Sequence, residues 1–230
     1  MLDQLPALII VLPLIAGAIC ALVRHETACW WIALATTFAC FACAVALLSL
    51  VHTGGTISYA MGGWMPPIGI EYRVDLLTAY LLILVSAVAA VAHVYAWRSV
   101  QAEVQAGLRG WYYGMYLLCL CGLMGIVITG DAFNAFVFME ISSLSMYALI
   151  AMGRDKRALS ASFQYLIMGT IGATMYVLGA GLLYTQTGTL NMIDLGQRLE
   201  PILTTPTTIA GMAFIIVGLS LKLALFPLHL

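Results

Sequence analysis

The sequence predicts an all-α integral membrane protein, a bundle of about seven transmembrane helices. Of its 230 residues, 63% are hydrophobic and only 8% are charged, a balance that soluble domains of this size do not have. Apolar stretches of about 20 residues, the length that crosses a bilayer as a helix, recur along the chain. The net charge of −1 indicates neither a nucleic-acid partner nor a strong attraction to anionic lipid.

Seven apolar stretches are long enough to cross the bilayer. The first has Asp3 and no basic residue before its apolar run, so we interpret it as a retained helix and not as a signal peptide. The sixth spaces small residues so that another helix can approach closely. The seven stretches lie near Leu5–Val23, Ala28–Val51, Leu76–Trp97, Trp111–Thr129, Ala132–Met152, Ser162–Tyr184 and Thr208–Leu228.

The basic residues between these stretches are distributed unevenly. The connections after the second and sixth helices hold only Arg73 and Arg198, whereas those after the first, third and fifth hold six basic residues. Cytoplasmic loops carry an excess of Lys and Arg, so the N-terminus is predicted to lie outside the cytoplasm. The six residues are Arg24, Arg98, Arg109, Arg154, Lys156 and Arg157.

We interpret residues 1–230 as a single membrane domain. Residues 1–110 hold helices one to three, with a glycine- and proline-rich outer loop at 52–75 in which Thr56–Ala60 and Ile68–Val74 can pair as a hairpin. That loop is interpreted as structural or as a contact for a neighbouring subunit. In residues 111–230, Asn191 followed by Asp194 resembles a helix cap that begins a short helix in the membrane interface.

Glu140 is the first candidate functional residue. Asp131 and Asn134 suit the N-cap and first turn of the fifth helix, which places Glu140 about 13 Å deeper at about 1.5 Å rise per residue. An ionisable group near mid-bilayer costs at least about 2.5–3.5 kcal/mol, so it indicates a functional site. A protonated Glu that only hydrogen-bonds a neighbouring helix is the alternative. The helical face of Glu140 carries aromatic and hydroxyl side chains, namely Phe133, Phe136, Ser143 and Tyr147.

Lys222 is the second candidate, because apolar residues flank it in the last helix. Snorkelling toward the inner surface is the alternative interpretation. Pro227 lacks an N–H and is predicted to make this helix discontinuous, an arrangement that suits an ion or proton path. His229 is either a relay on the Lys222 face or the start of a loop. For His93, near the inner end of the third helix, an interfacial hydrogen bond is favoured over a relay role.

The sequence predicts no metal site, no cofactor site and no catalytic or redox centre. Cys40 and Cys43 have the spacing of a metal or redox pair, but they lie within an uninterrupted apolar helix and no second pair accompanies them. We interpret all six cysteines as small buried hydrophobic residues. The chain also lacks a glycine-rich phosphate loop, so any quinone-linked or hydrogenase activity would belong to a larger assembly.

Taken together, these motifs resemble the antiporter-like proton-translocating subunits of respiratory complex I, membrane-bound hydrogenases and Mrp-type cation/proton antiporters, most closely the branch that holds the D-type Mrp subunits and the hydrogenases. The resemblance implies that Glu140 and Lys222 form the charge pair of a proton channel. Ser143 and Tyr147, on the helical face of Glu140, and His229 are further candidates along the path. The segments that carry the resemblance are Gly62–Ile70, Val74–Asp75, Gly130–Ala151, Gln164–Ala173, Gly188–Leu195 and Lys222–His229.

The resemblance also implies a multi-pass protein of the prokaryotic inner membrane whose partners are other membrane subunits of an antiporter, hydrogenase or complex I-like assembly. Protons, with Na⁺ as an alternative, would be the transported ions. Family members usually continue through two inverted repeats, so residues 111–230 are expected to be the incomplete start of a repeat. Two alternatives remain. The chain could be a membrane subunit of a complex I-like quinone oxidoreductase, whose activity belongs to the whole assembly, or a structural assembly subunit with no transport of its own. We expect a fragment or split subunit, with a relic scaffold as the alternative.

Overall fold

The computed structural model describes residues 4–226. Within these residues the chain forms eight α-helices and one two-stranded sheet. Most of the helices are long and apolar, and a short hairpin interrupts them between the second and third. In chain order the elements are α1 Leu5–Val23, α2 Glu26–Gly54, β1 Ile57–Ala60, β2 Glu71–Val74, α3 Leu76–Glu103, α4 Arg109–Ile128, α5 Ala132–Ala151, α6 Lys156–Thr187, α7 Met192–Leu199 and α8 Pro206–Lys222.

In the described part of the chain, six helices, α1 to α6, are long and apolar enough to span a membrane. The predicted seventh span corresponds to α8, whose 17 residues reach about 26 Å, short of the hydrocarbon core of about 30 Å. The prediction of a helical membrane protein is therefore confirmed, but the count of seven spans is not. Several helices extend beyond the predicted apolar stretches. Hydrophobicity indicates which residues lie in the bilayer, but it does not indicate where the last hydrogen-bonded turn of a helix ends.

Helix α4 lies at the centre of the bundle and contacts α1, α2, α3 and α5. Glycines of α4 allow it to approach α5 closely. A methyl group at Gly122 would lie 2.5 Å from the backbone nitrogen of Ser142, and one at Gly125 would overlap the ring of Phe138. The backbone of α4 therefore contacts α5 directly, which fixes the helix that carries Glu140.

The bundle has two polar ends, which we name by their contents. The hairpin side holds β1 and β2, the loop at 129–131 and the segment at 188–205. The basic side holds the connections at 24–25, 104–108 and 152–155. On the hairpin side the strands pair antiparallel, with Ile57 opposite Val74, so the predicted hairpin is confirmed. On the basic side Arg109 forms an ion pair with Glu26 at 2.9 Å.

Two aspartates cap helices on the hairpin side. The Oδ1 atom of Asp75 accepts a hydrogen bond from the Thr78 N–H at 2.7 Å, and this bond lowers the pKa of the Asp75 carboxyl. Asp131 caps α5 in the same way, as predicted, through the Asn134 N–H at 2.7 Å. Burial raises the pKa of the Asp131 carboxyl, because the charged form is poorly solvated there.

Helices α6 and α8 are held together by glycines. A methyl group at Gly172 would lie 3.0 Å from the carbonyl oxygen of Gly218, and one at Gly179 would lie 2.6 Å from that of Gly211. The close approach predicted from the small residues of the sixth helix is confirmed. Since α8 packs mainly against α6, the two helices form one unit, which we call the α6–α8 pair.

The last helix ends earlier than predicted. The apolar stretch Thr208–Leu228 suggested a helix that breaks at Pro227, but α8 ends at Lys222. Ala224 adopts a left-handed backbone with φ of 50°, and the Leu225 N–H bonds the Ser220 carbonyl at 3.0 Å. This bond pattern closes a helix C-terminus. Pro227 and His229 lie outside the described residues.

Candidate functional site

Glu140 and Lys222 meet inside the bundle. The Nζ atom of Lys222 lies 3.1 Å from Oε1 of Glu140. It also donates to Oγ of Ser143 at 2.9 Å and approaches the carbonyl oxygen of Met139 at 3.5 Å. The side chains of Lys222 and Glu140 are only 14% and 26% exposed. Two residues 82 positions apart therefore form one shielded ion pair.

The two charged residues lie at different places in their helices, one in the middle of α5 and one in the last turn of α8. Glu140 lies nine residues beyond the Asp131 cap, deep within α5. Lys222 lies in the last turn of α8, where the carbonyl groups of the helix terminus favour a cation. A helical side chain leans toward the N-terminus of its own helix, so Lys222 extends back from the end of α8 toward the interior. Snorkelling outward is not what the structure shows.

A cavity of 460 Å³ lies beside the pair. Four stretches of chain, from α4, α5, α6 and residues 219–224, form its walls. Its volume is sufficient for several water molecules, which can connect polar groups that do not touch. The polar residues that line it are Ser142, Ser143, Tyr147, Tyr165 and Lys222.

The structure brings together four of the five predicted site residues. Glu140, Lys222 and Ser143 share direct contacts, and Tyr147 lines the adjacent cavity. His229, the fifth, lies outside the described residues. The roles of all five in proton transfer stay predictions.

His93 lies away from this site. It is 1% exposed, and its Nε2 atom lies 3.1 Å from the carbonyl oxygen of Trp30. This contact joins α3 to α2 within the bundle. The cysteines described as free are mostly buried, and among residues 4–226 no group of three or more His, Cys, Asp or Glu side chains is arranged to hold a metal ion.

One buried carboxylate was not predicted from the sequence. Glu71, in β2, is 4% exposed and accepts hydrogen bonds from Ser58 and Asn191. In sequence it follows a glycine- and proline-rich loop, where an acidic residue is normally solvated. The alternation of a strand gives no signal either, because it places Glu71 on the same face as Arg73, which is exposed. The burial of Glu71 therefore depends on contacts that are distant in sequence.

Comparison with known proteins supports a family relationship. Residues 129–230 match the model of the family described as "NADH:quinone oxidoreductase/Mrp antiporter, TM". The whole chain is 43% identical over 232 aligned residues to the N-type NADH-quinone oxidoreductase subunit of Desulforudis audaxviator. Residues 129–230 of the chain form a domain of this antiporter-like family. The antiporter-like chain is also 33% identical, over 80% of its length, to the D-type Na⁺/H⁺ antiporter subunit of Bacillus subtilis.

A solved structure extends the relationship to three dimensions. The archaeal membrane-bound sulfane sulfur reductase complex contains a chain that matches 98% of this one with a TM-score of 0.90 and 33% identity. The antiporter-like chain spans 46% of that chain. It spans 46% and 36% of the two curated relatives, so it corresponds to less than half of each.

Proposed function

We propose that this antiporter-like chain forms part of a proton or sodium/proton translocation pathway in a multisubunit membrane assembly, with Glu140 and Lys222 as its buried charge pair. The observation that carries the proposal is the 3.1 Å contact between two oppositely charged groups inside an apolar bundle. Ionisable residues within membrane spans are costly and commonly belong to ion pathways. The names of the relatives, a quinone oxidoreductase subunit and a Na⁺/H⁺ antiporter subunit, agree with this function.

The pair can act as a switch. When Glu140 is ionised, its carboxylate stabilises the ammonium group of Lys222. When a proton reaches Glu140, that attraction is lost, and Lys222 keeps only Ser143 and the Met139 carbonyl as partners. A buried ammonium without an anionic neighbour tends to release its proton. The proton would pass into the adjacent cavity, where Ser143, Tyr147 and water provide the next hydrogen-bonding groups.

The charge of the site favours a proton as the ion handled by this pair. Na⁺ binds through several oxygen ligands, and the ammonium group at the centre of this site would repel it. If the assembly exchanges Na⁺, we infer that the sodium site lies elsewhere. The pair then supplies the proton half of the exchange.

The partners of the chain are proposed to be other membrane subunits of an antiporter, hydrogenase or complex I-like assembly in a prokaryotic inner membrane. The relatives extend over more than twice the aligned length. Any quinone-linked or hydrogenase activity would belong to the assembly as a whole. A purely structural subunit is the competing function, and the experiment below separates the two.

The test replaces Lys222 by Met in the chain within its native assembly. We expect the variant to insert and assemble normally, while proton transport into membrane vesicles falls on the order of 100-fold or more, as for loss of a proton-transfer group. Lys156→Met is the control, because Lys156 is exposed on the basic side. Normal transport by Lys222→Met would contradict the proposal, and loss of assembly together with transport would favour a structural subunit.

A further inference from the structure

The buried carboxylate of Glu71 joins two segments that are far apart in sequence. Its Oε1 atom accepts a hydrogen bond from the Ser58 hydroxyl at 2.5 Å. Its Oε2 atom accepts one from the Asn191 amide at 2.7 Å, across 120 positions of sequence. Among residues 4–226 no cation forms an ion pair with it. A carboxylate buried this way is costly unless its oxygens are satisfied, and here both are.

The backbone around Glu71 adds a third segment to the junction. The Gly130 N–H bonds the Glu71 carbonyl at 2.8 Å, and the Met192 N–H bonds the Gly130 carbonyl at 2.8 Å. The Ala132 N–H, in the first turn of α5, bonds the Leu190 carbonyl at 2.9 Å. The hairpin, the start of α5 and the segment that follows α6 therefore meet at one point, which we call the Glu71 junction.

The position of this junction relates it to the Glu140–Lys222 pair. Glu140 is on α5, whereas Lys222 belongs to the glycine-packed α6–α8 pair. The distance between the two charges therefore depends on how the α6–α8 pair is held against α5. At the hairpin side, the Glu71 junction holds the end of α6 against the start of α5, with a further bond from the Tyr176 hydroxyl to the Ala132 carbonyl at 3.1 Å. At the basic side, the Ser162 hydroxyl bonds the Tyr147 carbonyl at 2.8 Å.

We propose that Glu71 is a positioning residue, which clamps the segment after α6 to the first turn of α5 and so sets the separation of Glu140 and Lys222. The effect of this clamp on proton transport rests on the proposed function. The clamp itself does not, because it concerns only hydrogen bonds within the chain. Glu71 acts here through its shape and its two acceptor oxygens and does not carry the proton.

The test compares Glu71→Ala with Glu71→Gln in the chain within its purified assembly. Gln can keep both bonds, since its oxygen can accept from Asn191 and its amide can donate to the Ser58 hydroxyl. We expect Glu71→Ala to accelerate hydrogen exchange of the amides at 190–195 and at Ala132 about tenfold or more, as for lost hydrogen bonds to a charged group. Glu71→Gln should stay close to the original chain. Glu200→Ala is the control, because Glu200 is exposed on the same side.

Proton transport is the second measurement. Glu71→Ala should lower the rate about tenfold or more, because small displacements of reacting groups have large effects, and Glu71→Gln should restore most of it. Unchanged exchange in Glu71→Ala would overturn the clamp. Faster exchange with normal transport would overturn its link to the charge pair. Equal loss of transport in Glu71→Gln and Glu71→Ala would overturn the positioning role, because the charge itself would be required. If the original chain transports nothing while exchange responds as expected, the proposed function fails and the clamp stands.

Discussion

At the scale of single residues, Lys222 is held by oxygen atoms from α5. An ammonium group has three donor hydrogens, and three oxygens surround Nζ: Oε1 of Glu140, Oγ of Ser143 and the Met139 carbonyl. Protonation of Glu140 removes the charge of the first partner and leaves the other two. The Ser143 hydroxyl, at 2.9 Å, is the closest of the three oxygens to Nζ, so it is the main contact that remains for the lysine.

Ser143→Ala should therefore slow proton transport without affecting insertion. A hydrogen bond to a charged group is worth about 1.5–3 kcal/mol, so we expect a fall in rate of roughly 10- to 100-fold, smaller than that of Lys222→Met. Ser145→Ala is the matched control, since Ser145 is a buried serine of the same helix that donates to the Ile141 carbonyl, which is not one of the oxygens around Nζ. Equal rates in the Ser143 and Ser145 variants, measured in membrane vesicles, would remove Ser143 from the path.

Glu140 and Lys222 could be recognised from sequence because each is an isolated ionisable residue in an apolar stretch. Burying such a group in a membrane costs free energy, which indicates a function. Their contact could be inferred only from the resemblance, since no local pattern links residues 82 positions apart. Glu71 could not be recognised in this way. It follows a glycine- and proline-rich loop that predicts an exposed connection, and its burial results from the later segment around Asn191 folding over it.

At the scale of elements, the glycine contacts of the α6–α8 pair determine where Lys222 lies. A methyl group at Gly172 would meet the Gly218 carbonyl at 3.0 Å and the Cγ atom of Lys222 at 3.3 Å. A larger side chain at this position must push α8 away from α6. The displacement would act directly on the residue that carries the charge.

Gly172→Val should destabilise the protein by about 1–3 kcal/mol, the usual cost of overpacking, and should reduce transport. Gly181→Val in the same helix is the control, because no atom lies within 4 Å of a methyl group placed there. Thermal unfolding in detergent and vesicle transport measure the two effects. A Gly172 variant as stable and active as the Gly181 variant would show that the close packing of α6 and α8 does not hold Lys222 in place.

The end of α8 shows why element boundaries were less predictable than element types. Residues 223–226 continue the apolar run, so hydrophobicity gave no sign that the helix ends at Lys222. Helices commonly end with Gly in the left-handed conformation, but here Ala224 adopts it. The caps of α5 and α7 were predictable because Asp131 and Asn191 are typical capping residues.

At the scale of the whole molecule, the two ends of the bundle differ in charge and structure. The basic side collects six of the eight basic residues that lie in connections between the predicted spans, and the hairpin side holds the sheet and the Glu71 junction. The positive-inside rule then predicts that the hairpin side faces out of the cytoplasm. Both Glu140 and Lys222 lie on helices that start from the hairpin side.

This orientation predicts the accessibility of introduced cysteines in intact cells. Cysteine at Thr56, exposed on the hairpin side, should react with an impermeant thiol reagent, and cysteine at Lys156, exposed on the basic side, should react only after the membrane is opened. The native cysteines described are buried or half-buried, which limits background labelling. The reverse pattern would contradict the orientation.

If Glu140 and Lys222 act as one unit, as we claim, a double-mutant cycle on proton transport will show it. In the complete assembly, Glu140→Gln, Lys222→Met and the double variant are compared at equal amounts of assembled protein. Because each single change already destroys the ion pair, we predict that the double variant transports about as slowly as either single one. Multiplied losses in the double variant, or normal transport in either single variant, would contradict the claim.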